Sequence, residues 1–278
     1  MKKVLIAGAN SYIGNSVKAY LDQFPELYCV EVLKTRGLKP SAEHFLSYDC
    51  VFCVAGIAHI KETAHTRHQY YEINRDLVID LAQKAKEAGV RQFILLSTMS
   101  VYGLETGHIL KSTRPSPVNA YGESKYQADV EIKKLESDNF KFACLRPPMV
   151  YGKNCKGNYQ TLRKIAMKSP LFPDVSNKRS MIYIGNLCEF VKKCIDLELE
   201  GLFFPQNSEY ANTTKLVRWI ADIHGRTILT TKIFNGLLYL LNIKQIKKAF
   251  GDLTYELVDT VGKYGIYESI SLSESEQG

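Results

Sequence analysis

Tyr121 and Lys125, in the run NAYGESKYQAD at 119–129, stand four residues apart. On a helix that spacing puts them on one face. An ammonium about 5 Å from a phenol, at an effective dielectric of about 20, favours the phenolate by about 3 kcal/mol, or roughly two pKa units. A phenol of ordinary pKa near ~10 then moves toward the range of a general acid or base. A chain with seventeen tyrosines and many lysines also makes such spacings by chance, so the surroundings decide. The run LLSTMSVYG at 95–103 ends an apolar segment in the hydroxyls of Ser97, Thr98 and Ser100. Such hydroxyls can hold the same carbonyl or alcohol oxygen that a phenol protonates or deprotonates.

The elements that must position these residues follow from hydrophobic pattern. Short apolar runs predict strands at Lys3–Ala7, Tyr28–Leu33, Cys50–Ala55, Gln92–Ser97 and Lys141–Arg146, with helices over Tyr12–Phe24, Asp76–Ala88 and Ala120–Ser137 between them. In the second helix Leu77, Val78, Leu81, Ala82 and Ala85 share a face, Asn74 can cap the start and Gly89 stops the end. Strand–helix–strand alternation predicts an α/β fold with a Rossmann-like, doubly wound parallel sheet, whose ligands sit at the carboxyl ends of the strands. Past about Tyr151 the alternation weakens into loops and shorter helices. The chain therefore divides into a dinucleotide-binding domain at 1–152 and a smaller, interleaved substrate-binding portion at 153–278, ending in SISLSESEQG as a frayed tail.

The turn behind the first strand, GANSYIG at 8–14, has glycines at Gly8 and Gly14 with Ser11 in the middle position. Missing side chains there let backbone N–H groups approach a diphosphate and let the first helix pack on the sheet. Ser11 removes one glycine and adds a hydroxyl donor. Either this is a cofactor loop or an ordinary strand-to-helix turn; its place after the first strand of the alternation favours the cofactor. The acidic residue that grips the adenosine ribose of NAD should end the second strand. In CVEVLKTRG that place holds Lys34, with Arg36 beside it, while Glu31 lies inside the strand. Two cations would welcome a 2′-phosphate, which favours NADP over NAD; as solvated loop charges they would say nothing.

Composition sets the limits. The 278 residues are 45% hydrophobic and 23% charged, as in a well-packed protein, with a formal net charge of +7. The seven cysteines are odd in number and scattered through apolar runs, the pattern of reduced cytoplasmic thiols. Cys50 and Cys53 form a lone C-x-x-C without the second pair of a zinc site. His59, His65 and His68 cluster in a polar stretch without a carboxylate set, so no metal is expected, although His59 could line a sugar pocket. Met-Lys-Lys at the start resembles a signal peptide, but the apolar run behind it is short and reads better as a core strand. FNGLLYLLNI, from Phe234, is too short to span a bilayer, and the lysines of IKQIKKAF after it allow surface association. Lysines spread without a basic block argue against nucleic acid.

Taken in order, GANSYIG, VAGIAH at 54–59, YEINRDLVIDLAQKA at 71–85, STMSVYG, YGESK, LRPPMVYG at 145–152 and RSMIYIGNL at 179–187 resemble the extended short-chain dehydrogenase/reductase family of the NAD(P)-dependent epimerase and dehydratase type. The resemblance covers nearly the whole chain. By position it implies Tyr121 as acid/base, Lys125 as its electrostatic partner and Thr98 as the catalytic hydroxyl. It further implies Gly8, Asn10, Ser11, Tyr12, Ile13, Gly14, Ala55, Gly56 and Asn74 along the cofactor, and Pro147 and Pro148 near the nicotinamide. Asn158 and Arg179 would face the diphosphate or sugar of a nucleotide-sugar substrate, and a homodimer would be ordinary. RPPMVYG, KGNYQTLRKIA and KKAFGDL look most like bacterial nucleotide-sugar 4-keto reductases of surface polysaccharide assembly. These are expected to reduce a UDP-4-keto-6-deoxy-N-acetylhexosamine with NADPH. Met149, where many 4-epimerases carry a polar sugar contact, points the same way. The alternatives are a UDP-sugar 4-epimerase with tightly held NAD, which uses the same residues, and a dinucleotide-sensing protein without chemistry.

Overall fold

The computed structural model describes residues 1–278 apart from 59, 61, 234, 237–247 and 276–278. His59 and most of the apolar run after Phe234 therefore lie outside the described residues. In chain order the elements are β1 (Lys2–Ala7), α1 (Tyr12–Leu21), β2 (Tyr28–Leu33), β3 (Cys50–Cys53), α2 (Ala64–Tyr71), α3 (Leu77–Glu87), β4 (Gln92–Leu96), β5 (Gly107–Ile109), α4 (Ala120–Lys133), β6 (Lys141–Leu145) and β7 (Met149–Tyr151). They continue as α5 (Asn158–Lys168), β8 (Leu171–Pro173), β9 (Met181–Tyr183), α6 (Ile184–Asp196), β10 (Gly201–Phe203), β11 (Gln206–Asn207), α7 (Thr213–Ile223), β12 (Leu229–Thr231), β13 (Leu253–Tyr255), β14 (Thr260–Val261) and α8 (Ile266–Glu274).

The chain forms two compact units: residues 1–103, 114–147 and 188–204, and residues 104–113, 148–187 and 205–278. In the first, a six-stranded parallel sheet runs in the order β10-β6-β4-β3-β1-β2. The chain leaves β1 toward β2 on one side and returns to β3 on the other, so the turns after β1 and β3 diverge at the crevice where doubly wound sheets hold ligands. Its strands are near-continuous apolar runs because both faces are covered: Val4, Leu5, Ile6, Val51, Phe52, Phe93 and Ile94 are all buried. Helix α3 turns Val78, Leu81, Ala82 and Ala85 into that core, and Gly89, at φ +82°, ends it.

All five predicted strands form, ending up to two residues sooner, and the three helices are likewise shorter at their carboxyl ends. Asn74 does not cap α3. It lies in the π-turn Glu72–Asp76 that joins α2 to α3, and its amide bonds the backbone of Ile57 in both directions, accepting from the N–H at 2.7 Å and donating to the carbonyl at 3.0 Å.

The second unit consists of two-stranded parallel pairs, β7 with β9, β5 with β13, β8 with β12 and β11 with β14, packed with α5, α7 and α8. Of the segment expected to fray, residues 269–274 belong to helix α8, with Ile270 fully buried and Ser269 hydrogen-bonded to the Tyr151 hydroxyl at 2.6 Å, and 276–278 lie outside the described residues. Among the described residues no helix is long and apolar enough to cross a membrane.

Candidate active site

The glycines of the first turn are required by close approach. A Cβ on Gly8, which has φ +128°, would lie 2.8 Å from the Ala55 amide nitrogen; one on Gly14 would lie 3.0 Å from Val54 Cγ2. Asn10 takes the left-handed conformation at φ +62°, which asparagine tolerates better than most residues. Ser11 serves α1 as its N-cap, its Oγ accepting from the Gly14 N–H at 3.2 Å, so the hydroxyl expected to donate acts here as an acceptor. Tyr12 and Ile13 begin the helix. The result is a cradle kept clear of side chains at the positive end of a helix, which suits a diphosphate. Gly8→Ala should abolish dinucleotide binding and lower the melting temperature, because the methyl meets backbone, which cannot swing aside. Fluorescence titration with NAD and NADP alongside a thermal melt checks this.

Beyond β2, Lys34 and Arg36 are exposed, and Glu31 within the strand accepts from the Tyr48 hydroxyl at 2.8 Å. No carboxylate ends the strand.

Thr98 follows β4 and caps a 3-10 turn over Met99–Tyr102. Its hydroxyl comes near enough to the phenol of Tyr121, the second residue of α4, to pull that group's pKa down. Gly122 allows that approach: a Cβ there would lie 2.6 Å from the Ser100 carbonyl oxygen. Asn119 caps α4 by accepting from the Gly122 N–H at 2.8 Å, and the Glu62 carboxylate accepts from the Ala120 N–H at 3.0 Å. The Tyr70 ring meets the Tyr121 ring edge-on at 6.1 Å.

Lys125 lies one helical turn further and is 5% exposed. Its ammonium donates to the carbonyls of Leu96 at 3.0 Å and Ala55 at 3.3 Å. A Cβ on Gly56 would fall 2.9 Å from Asn74 Oδ1 and 3.0 Å from Lys125 Nζ, so Ala55, Gly56, Asn74 and Lys125 form one tight group beside the first glycine turn. Pro147 is joined to the same region through its carbonyl, which accepts from the Met99 N–H at 3.1 Å.

Burial pushes the Tyr121 phenol above its usual value of 10.0, Thr98 pulls it down, and Tyr70 and Asp129 push it up. Burial lowers the pKa of Lys125, against the opposing pull of Cys53, Asp129 and Cys144.

In the second unit, Pro148 precedes β7, and Asn158 is the first residue of α5. Arg179 bridges Ala211 and Leu253, and its guanidinium donates to the Gly251 carbonyl at 2.9 Å. Burial disfavours its charge while Glu105 and Asp252 favour it. Among the described residues no group of three or more His, Cys, Asp or Glu could hold a metal ion.

Three residues of this region escape a reading by pattern. Gly122 has a signal in the AYGESK run, a glycine inside a helix. Asp129 continues the four-residue rhythm of Tyr121 and Lys125, and Arg146 is a lone charge ending an apolar strand. Both are buried.

Comparison with known proteins places the chain. Residues 4–201 match the model of the NAD dependent epimerase/dehydratase family. A UDP-glucose 4-epimerase from Vibrio cholerae is 30% identical over 161 residues, covering 55% of this chain and 49% of the relative. The N-acetyl-alpha-D-glucosaminyl-diphospho-ditrans,octacis-undecaprenol 4-epimerase of Escherichia coli O157:H7 is 25% identical over 208 residues, covering 68% and 62%. The chain thus spans between half and two thirds of the length of these relatives. Among solved structures, UDP-glucuronic acid 4-epimerase from Bacillus cereus in complex with NAD superposes with a TM-score of 0.76 at 16% identity, over 98% of this chain and 97% of the other. The dTDP-4-dehydrorhamnose reductase of Bacillus anthracis in complex with NADP gives 0.66 at 18%, over 90% and 99%. At such identities the likeness is one of fold. With the family model covering most of the chain and the motif residues assembled on a doubly wound sheet, the protein belongs to the NAD dependent epimerase/dehydratase family.

Proposed function

We propose that the protein is an NAD(P)-dependent enzyme that inverts C4 of a sugar carried on a diphosphate, a 4-epimerase. The observation that carries this reading is the close packing of the Thr98 turn on the start of α4, which brings Thr98 and Tyr121 together beside the Lys125 group and the first glycine turn. The curated relatives support the epimerase over one-way reduction, since both relatives described above are 4-epimerases. The sugar's carrier, nucleoside or polyprenyl, differs between those two.

The nicotinamide dinucleotide supplies reversible oxidation at C4 when bound. The Gly8–Gly14 turn would hold its diphosphate, Lys34 and Arg36 its adenosine ribose, and Ala55, Gly56, Asn74 and Pro147 the nicotinamide end, with Pro148 behind. Tyr121 takes the proton from the C4 hydroxyl as that carbon is oxidised and returns it to the same oxygen as the carbon is reduced on its other face; Thr98 holds the oxygen meanwhile. Lys125 orients the phenol's surroundings through the Ala55 and Leu96 carbonyls. Asn158 and Arg179 bind the substrate's diphosphate and sugar, the guanidinium offering a planar fork to phosphate oxygens.

One observation favours a second reading, reduction of a 4-keto sugar with NADPH: cations rather than a carboxylate follow β2. Mass spectrometry of the nucleotide that copurifies with the protein separates the readings. NAD retained through purification, with turnover of UDP-glucose and no added cofactor, is the expected result. Release of NADP, with NADPH consumed by a 4-keto sugar nucleotide, would select the reductase.

A further inference from the structure

Behind the Thr98–Tyr121 pair lies a buried ion pair that the chemistry above leaves unused. Asp129, 4% exposed, is two turns along α4 from Tyr121 and on the same face as Lys125. Its Oδ2 accepts from Ser97 Oγ at 2.8 Å and from Arg146 Nε at 3.0 Å. Among the described residues Oδ1 has no hydrogen-bond partner. Arg146, 6% exposed, sends Nη1 to the Tyr102 hydroxyl at 2.8 Å and lies over the Tyr102 ring at 5.4 Å. Ser97 immediately precedes Thr98, and Tyr102 closes the turn that Thr98 caps. The residue before the threonine and the last residue of its turn are therefore tied, through one ion pair, to the helix that carries the phenol.

A buried ion pair is a poor source of net stability, since desolvating both charges costs about what their attraction returns. What this one does supply is registry.

We propose that the Asp129–Arg146 pair is the positioning element of the reaction centre, clamping Ser97 and Tyr102 to α4 and so setting where Thr98 stands relative to Tyr121. The proposal rests on the reading of Tyr121 as the acid/base. The phenol faces Thr98, Tyr70 and Asp129, and the ammonium faces Cys53, Asp129 and Cys144. Loosening the clamp lets Thr98, the group that pulls the phenol's pKa down, move away, so the phenol becomes a weaker acid.

Ser97→Ala with Tyr102→Phe cuts both tethers and leaves the ion pair intact, so no buried charge is orphaned; a thermal melt confirms the fold. With tyrosine labelled at the ζ-carbon, the Tyr121 NMR signal, assigned by its loss in Tyr121→Phe, should titrate at higher pH in the double variant than in the wild type. With UDP-glucose as probe, kcat should fall about 10- to 100-fold in the double variant with KM unchanged, as misplacement of reacting groups does. A merely structural pair would change the melting temperature and leave the Tyr121 titration where it is; that result overturns the proposal. Turnover that survives Tyr121→Phe would instead overturn the reading of the phenol, and the titration would still decide the clamp.

Discussion

Tyr121→Phe should reduce turnover by roughly 10²- to 10⁴-fold, the usual contribution of a positioned acid or base, while NAD and NADP bind as tightly as before. The substitution deletes one oxygen and keeps the ring, so the edge-on contact with Tyr70 and the packing of α4 survive. Thr98 loses its phenolic neighbour but retains its cap to the Ser100 N–H at 3.2 Å. The loss should thus appear in kcat, with the melting temperature changed little. Because burial raises the phenol, nucleotide-free protein should show Tyr121 titrating above 10.0. Below that pH the group is protonated and serves as a donor; deprotonation, and with it the capacity to accept the C4 proton, rises as pH rises. Full activity in the Phe variant would remove Tyr121 from the chemistry, and a phenol titrating below 10.0 without nucleotide would mean that the nearby ammonium outweighs burial.

Much of the first unit is readable from pattern because its sheet is buried on both faces. A strand with Val4, Leu5 and Ile6 in sequence has no other stable place, and the apolar stripe of α3 has to meet it. The Gly8–Gly14 turn and the Tyr121–Lys125 spacing are equally local, and local signals survive folding. Asn74 shows where such signals stop. Its type suits a helix cap, but the side chain is taken up by the Ile57 backbone, a partner seventeen residues away. Lys125 shows the same limit: spacing puts ammonium and phenol on one face, and only the fold adds the carbonyls at the ends of two neighbouring strands that the ammonium also bonds. Gly122, Asp129 and Arg146 acquire meaning only from what approaches them across the sheet. The second unit, built from strand pairs of two or three residues, offers too short a period to read.

Glu274→Ala should destabilise the second unit by about 2–3 kcal/mol, lowering its melting temperature by on the order of 5 °C, although the residue sits in a serine- and glutamate-rich stretch that looks like solvated tail. Its carboxylate is fully buried and serves three helices at once. Tyr159 of α5 donates to Oε1 at 2.8 Å, Arg163 of α5 donates through Nε to Oε2 at 2.6 Å, and His224, at the end of α7, contacts Oε2 at 2.8 Å. Removing it strands the Tyr159 hydroxyl, on a residue 1% exposed, without its acceptor, and that desolvated group dominates the cost. The Arg163 pairing adds less, because that side chain is 40% exposed and water takes over part of its solvation. Glu274→Gln keeps an oxygen for Tyr159 and should recover about half of the loss. Glu268, exposed on the same helix, is the control, and its alanine variant should fall within about 0.5 kcal/mol of wild type. If the melts of the Glu274 and Glu268 variants coincide, α8 is an ornament on the second unit; if they separate as expected, the serine-rich end of the chain is the pin that holds α5 and α7 together.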